Sequence, residues 1–350
     1  MIHMSKTSVG HALRGVLAPG VVALALIAPM SACSRADASG ASAASSPRRE
    51  RRAGAVASIA AQARPKIGIS AGADAASIAA LKRLGITRVR TGIIWRNYLD
   101  PRHFADDRST PVASGGHTPP EFFAMDMATF AAAGIEPLVV VHTPPDGMTL
   151  AAGMTAMPRF MAGLARRFRG MRWEILNEMN GDDAFNGRWF EVSNARISMT
   201  VRGERYGRLL RAVYDSIKAA DPSAIVVTGG IDKSLTAFYT GMISTAAGKF
   251  DVFAVHDYGP PAAPGFAQKS EEMRPLLHGK PLWCTEVGNN QANDAAQASD
   301  LANLLDDNDR NDRYDRVYLY TLIGDGNYAL VRPDGSLRQA ARLLLDRQAR

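Results

Sequence analysis

Cysteine is nearly absent from this 350-residue chain, which has only Cys33 and Cys284. A disulfide framework is therefore excluded. With Cys33 in an N-terminal leader and Cys284 inside a strand-like run, no intramolecular bridge is expected. Long apolar runs are missing too. The best candidate, from about Val16 to Met30, is interrupted by Pro19 and Pro29 and is shorter than the roughly 20 residues that cross a bilayer. No Gly-rich phosphate loop follows the first strand-like run, where Ile69-Ser70-Ala71-Gly72-Ala73-Asp74 stands instead; this argues against an open, doubly wound nucleotide-binding sheet. No strand end carries a paired His-x-His, so a metal-dependent hydrolase would have to rest on His142, His256, Asp257 and Glu286, and no metal or organic cofactor is expected.

Charge of one sign is scarce where it would matter. The formal net charge is +7, but residues 1–62 hold 7 Lys and Arg against 2 Asp and Glu, leaving 34 against 32 for the rest. The folded part is nearly neutral, which gives no support to a nucleic-acid groove.

What is present begins with an N-terminal appendage. Lys6 and Arg14 precede the apolar run, which closes in Pro29-Met30-Ser31-Ala32-Cys33. This order reads as a signal peptide. Its end resembles a bacterial lipobox, which implies cleavage before Cys33 and lipidation of that cysteine; ordinary cleavage near Ala36-Asp37-Ala38, giving a periplasmic or secreted protein, is the alternative. Residues 34–64 are rich in Ala, Ser and Gly and carry the cluster Arg48-Arg49-Glu50-Arg51-Arg52. Such a composition cannot build a core and reads as a tether. The expected division is residues 1–33 as leader, 34–64 as tether and 65–350 as one folded domain, exported and held at the cell envelope by a lipid.

Beyond the tether, strand-like runs alternate with amphipathic stretches at helical spacing. Strands are expected over 66–70, 88–93, 136–141, 172–176, 224–228, 252–255, 282–285 and 317–321. Helices are expected over 75–84, 121–133, 158–169, 204–220, 235–247, 299–306 and 337–349. Gly85, Gly134 and Gly170 follow helical patterns as stop signals. Eight such units predict a closed (β/α)8 TIM barrel, whose strand ends share one mouth.

Two of those strand ends carry the chemistry. Trp173-Glu174-Ile175-Leu176-Asn177-Glu178 and Leu282-Trp283-Cys284-Thr285-Glu286-Val287-Gly288 each run apolar into a glutamate. Paired carboxylates at one mouth are what glycosidic cleavage needs, one as acid and base and one as nucleophile. Regular alternation would align Glu174, Leu176 and Glu178 on one face, and would put Cys284 below Glu286 toward the barrel interior as a packed, unreactive thiol. Val255-His256-Asp257-Tyr258 adds a phenol that could hold a carboxylate ionised, and His142 could bind a sugar hydroxyl. Each histidine could equally be a hydrogen-bonded structural residue. Arg90 is a charge in a core strand and needs a partner, either Glu174 or Glu286. Trp95 and Trp189 are candidate platforms for sugar faces, with ordinary packing as the alternative.

The Trp-Glu-Ile-Leu-Asn-Glu, His-Asp-Tyr and Thr-Glu-Val-Gly segments resemble strands four, six and seven of clan A glycoside hydrolases, most closely family 39-like enzymes. The resemblance runs from about Lys66 to the end and includes Ala219-Ala220-Asp221-Pro222-Ser223-Ala224 and Leu330-Val331-Arg332-Pro333-Asp334-Gly335. It implies a (β/α)8 barrel, retaining hydrolysis of a carbohydrate, Glu178 as acid/base, Glu286 as nucleophile and Asn177 on the sugar's 2-hydroxyl. Met179 stands where many relatives have proline, and Tyr320 stands near the usual tryptophan platform and could substitute for it. A glycan-binding lipoprotein on an inactive barrel is the competing expectation. The envelope anchor suggests the cell's own exopolysaccharide as substrate.

Overall fold

The computed structural model describes residues 66–98, 119–145, 148–181, 197–232, 235–258, 265–324 and 326–348. The leader, the tether, Cys33 and Trp189 lie outside the described residues. Strands and helices alternate as β1 (Ile67–Ser70), α1 (Ala75–Arg83), β2 (Arg88–Ile94), α2 (Pro119–Ala132), β3 (Glu136–His142), α3 (Leu150–Arg167), β4 (Arg172–Ile175) and α4 (Met199–Ala220). The second half continues with β5 (Ile225–Thr228), α5 (Leu235–Ala246), β6 (Phe253–Asp257), α6 (Gly265–Met273), β7 (Leu282–Val287), α7 (Asp294–Asn311), β8 (Arg316–Leu319) and α8 (Gln339–Gln348).

The strands pair in parallel in the order β5-β4-β3-β2-β1-β8-β7-β6. Because β1 pairs with both β2 and β8, the sheet curls back on itself. At the remaining seam β5 meets β6 through the parallel bridges Val227 to Val252 and Ile231 to Val255. The Thr228 hydroxyl also accepts from the Ala254 N–H at 2.8 Å. The result is a nearly closed (β/α)8 barrel, as the alternation predicts.

Side-chain caps decide where several helices begin. Asp74, Thr149, Ser198 and Asn293 each accept from a backbone N–H of the first turn that has no partner within the helix. Three expected starts are corrected by these caps, and one of them is α4, which begins at Met199 and not at 204 because Ser198 caps it. α3 begins at Leu150, not at Pro158, because Thr149 caps it and Gly153, Met157, Met161 and Ala165 form one continuous buried stripe. Pro158 lies inside the helix, buried against the barrel. α7 begins at Asp294, ahead of the expected 299, because Asn293 caps it. α6 was not expected; its nine residues are too short and too mixed in polarity to show a period.

Two layers of packing follow. Leu138, Val227, Val252, Ala254, Trp283 and Tyr318 fill the lumen. Val89, Val139, Ile175, Val226, Phe253 and Leu319 face the helices. Cys284 belongs to this outer layer, which corrects its expected inward placement. The pairing of β7 shifts register beyond Cys284. This irregularity lets consecutive residues Thr285 and Glu286 both reach groups inside the barrel. At the strand beginnings Glu136 closes the lumen floor, bridged to Arg316 at 2.6 Å and Arg172 at 3.0 Å. Among the described residues no helix is long and apolar enough to cross a membrane.

Candidate active site

The segment that carries Asn177 and Glu178 is not a strand. β4 stops at Ile175, and Leu176 and Glu178 take left-handed backbone angles, φ 65° and 47°. The expected alternation through Glu178 therefore fails, yet the turn still delivers Glu178 to the mouth. Left-handed non-glycine residues cost of order 1–3 kcal/mol each, so the turn needs support. Leu176 N–H donates to Val141 O at 2.9 Å and Glu178 N–H to Gly230 O at 2.9 Å. From α4, the buried Tyr206 hydroxyl donates to Ile175 O at 2.8 Å and accepts from Gly229 N–H at 2.9 Å.

Arg90, rising from β2, bridges both expected partners at once. Its guanidinium donates to Glu174 at 2.7 and 3.0 Å, to Asn177 Oδ1 at 2.7 Å and to Glu286 Oε1. Glu174 is fully buried and accepts further bonds from Gly230 N–H at 3.0 Å and Thr285 Oγ1 at 3.1 Å. A buried charge with this many partners is satisfied. Burial would lower the Arg90 basicity, but the two glutamates outweigh it and hold the group cationic.

Glu286, at the end of β7, is 8% exposed. Its Oε2 accepts from the Tyr258 hydroxyl, as expected for that phenol. Burial would raise the carboxyl, but His256, Arg90 and the Tyr258 hydroxyl together pull it down to about 2. Glu286 is thus ionised across the ordinary pH range. Burial and the adjacent carboxylate push the Tyr258 phenol up, so it remains a donor.

His256 is fully buried, which directs its ring at carboxylates and away from the open cleft. Nδ1 lies 2.7 Å from Glu178 Oε1 and 3.6 Å from Glu286 Oε2, and Nε2 lies 3.9 Å from Glu174 Oε1. The ring lies flat against Gly230, where a Cβ would come within 1.9 Å of Nε2. Glu178, His256 and Glu286 present atoms within 4.8 Å of one another. As a metal set they fit poorly, since both Glu286 oxygens already have donors and the Arg90 cation sits beside them.

Arg90, Asn177, Glu178, Tyr258 and Glu286 line a cleft of about 480 Å³ with Val140, His142, Tyr320 and Tyr328, and the fully buried His256 does not line it. A second cleft of about 510 Å³ shares Arg90, Val140, His142 and Tyr320 with it and reaches Gly72, Asp74 and Gly324. Burial and nearby Arg90 push His142 down to about 4 against the pull of Glu286, so its ring is neutral. Its Nδ1 pairs with Thr143 Oγ1 at 2.8 Å. Tyr320 follows β8 across a cis peptide to Thr321 and packs edge-on against Tyr258 at 5.8 Å.

Similar solved structures share this architecture. An exo-β-1,4-mannosidase from an Opitutaceae bacterium superposes with a TM-score of 0.57 at 13% identity, over 80% of this chain and 58% of that one. The chain thus spans less than two thirds of the mannosidase. Fungal β-1,4-galactanases give 0.58 at 12% identity, over 80% and 98% of the two chains. A GH30 endoxylanase from Clostridium papyrosolvens gives 0.54 at 14% identity, over 80% and 70%. At such identities the shared property is the barrel. No family profile and no curated protein matches the chain.

The structure brings Arg90, His142, Asn177, Glu178, His256, Tyr258, Glu286 and Tyr320 together at one mouth. It does not bring Trp95. That ring is fully buried and stacks on Phe160 at 5.9 Å, so the platform reading is replaced by core packing. The cause is that β2 ends in a 3-10 turn, Trp95–Tyr98, which tucks the indole behind the sheet. Cys284 donates to Glu286 O at 3.3 Å, and burial, with Asp257 near, raises its thiol well above the ordinary value; it is unreactive packing. Tyr328 was missed. Its only sequence signal is an aromatic residue in a loop beyond a strand end.

Proposed function

We propose that the chain is a retaining glycoside hydrolase that cleaves O-glycosidic bonds of an oligo- or polysaccharide. The observation that carries this reading is Glu178 and Glu286 at one mouth, with carboxylate atoms within 4.8 Å and Glu286 held anionic by the Arg90 and Tyr258 donors and the nearby His256 ring. Retention calls for carboxyl groups about 5–5.5 Å apart, whereas inversion needs roughly 6.5–9.5 Å to admit a water. The glycosidase activities of the similar barrels support the same reading, and the three resembling segments alone suggest a place near family 39-like enzymes.

In the first step Glu286 Oε attacks the anomeric carbon, the bond to the leaving oxygen breaks and that oxygen takes the proton of Glu178. In the second, Glu178 removes a proton from water, the water oxygen bonds to the anomeric carbon and Glu286 departs as a carboxylate. Arg90 and Tyr258 stabilise the departing carboxylate. Asn177 faces the 2-hydroxyl side, and His142, neutral, offers a ring nitrogen to another hydroxyl.

The test is mass spectrometry of the protein after exposure to a panel of activated 2-deoxy-2-fluoro glycosides, with Glu286→Gln in parallel. A glycosyl adduct on Glu286 is expected for at least one sugar and none for the variant. An adduct on another residue, or catalytic turnover with inverted product, would sink the assignment.

A further inference from the structure

We infer that Tyr328 is a positioning residue that holds the Tyr258 hydroxyl on Glu286. Tyr258, Tyr320 and Tyr328 form a closed triangle of edge-to-face rings. The centroids lie 5.8 Å apart for Tyr258 and Tyr320, 5.7 Å for Tyr258 and Tyr328 and 5.6 Å for Tyr320 and Tyr328. Edge-to-face contacts of this kind set the mutual orientation of the rings as well as burying them. Tyr258 directly follows β6, and its ring meets Tyr320 and Tyr328 from the segment after β8. His256 also meets it edge-on, at 6.4 Å.

Tyr328 sits at the end of the short turn Gly326–Tyr328, and that turn is anchored firmly for an exposed loop. Buried Gln297 of α7 donates to Asn327 O at 2.7 Å and to Tyr328 O at 3.3 Å. Buried Arg338, just before α8, donates to Asn327 O at 2.6 Å and reaches Gln291 O at 2.6 Å with its other nitrogen. Its Nε pairs with Asp294 at 2.8 Å. The same guanidinium thus ties the loop after β8 to the loop after β7, the strand that carries Glu286. Gly288, two residues past Glu286, lies directly under the cluster, where a Cβ would come within 2.6 Å of Tyr320 O and 2.9 Å of the Tyr328 ring. The ring triangle, its anchor and the space left at Gly288 form one device. It fixes the donor that Glu286 uses when it forms and releases a bond.

This inference rests on the retaining-glycosidase reading, and its test separates the two. The probe is the 2-deoxy-2-fluoro glycoside that labels Glu286 in the unaltered protein, with the labelling rate followed in Tyr328→Ala, Tyr328→Leu and Tyr328→Phe. The Leu variant keeps apolar bulk if the Ala variant does not fold. Loss of the ring is expected to slow labelling on the order of ten- to a hundredfold, as small misplacement of a reacting group does, while Phe restores most of the rate. A second readout needs no substrate: the carbon-13 carboxyl resonance that Glu286→Gln removes should titrate at higher pH in the Ala and Leu variants. Unchanged labelling and unchanged titration would overturn the inference and leave the glycosidase reading standing. Equal losses in Phe and Ala would overturn it too, because the hydroxyl and not the ring would then be acting. A shifted titration in a protein that no glycoside labels would keep the positioning role and remove the retaining mechanism.

Discussion

At the scale of single residues the site is a set of carboxylates made to differ by their neighbours. Glu286 has two donors, Arg90 and Tyr258, with the His256 ring 3.6 Å away, and is held ionised; Glu174, deeper, is satisfied by Arg90, Gly230 and Thr285. His142 gives a pH signature that can be measured. Its folded value of about 4 lies below its ordinary 6.5. Between those values the unfolded chain binds a proton that the folded chain refuses, so stability falls as pH falls through that window. His142→Gln should flatten this part of the stability curve, and urea unfolding at pH 7, 5.5 and 4 checks it. A parallel loss in the variant would mean that other groups set the slope. Much of this site was legible from residue type and position, because a charge such as Arg90 in a core strand demands a partner. Trp95 and the Leu176-Asn177-Glu178 turn show the limit. Whether an aromatic past a strand end faces substrate or core depends on how the strand ends, and single left-handed residues such as Leu176 leave no trace in periodicity.

At the scale of elements, α4 does more than cover the barrel. Its Tyr206 hydroxyl closes both a carbonyl of β4 and an N–H of the β5 exit loop, directly beneath the turn that bears Asn177 and Glu178. Tyr206→Phe keeps the ring and leaves both backbone groups buried without that partner, which is expected to cost about 1–3 kcal/mol. Thermal and chemical unfolding would read that cost, and an unchanged midpoint would show that water replaces the hydroxyl. The strand and helix order, α6 excepted, was readable from alternation, and boundaries failed where a cap or a bulge overrode the period. Pro158 looked like a helix start, but the buried stripe of Gly153, Met157, Met161 and Ala165 extends α3 through it. The irregularity in β7 similarly reversed the expected facing of Cys284.

At the scale of the whole molecule, the chain enters the barrel at the strand beginnings and presents its carboxylates at the opposite, strand-end mouth. We propose that lipidated Cys33 attaches the chain to the cell envelope, where it would act on exopolysaccharide. Detergent-phase partitioning of the full chain is expected to shift to the aqueous phase in Cys33→Ser, and identical partitioning would remove the anchor. The barrel itself is held unevenly, with ladders around seven junctions and paired bridges at the β5–β6 seam. Next to that seam lies Gly230, the residue on which the His256 ring rests. Any side chain there would displace the imidazole that touches Glu178. In a library covering every substitution, position 230 should therefore be as intolerant as the glutamates themselves. A silent glycine would mark descent with function in diverged sequences as clearly as any catalytic residue.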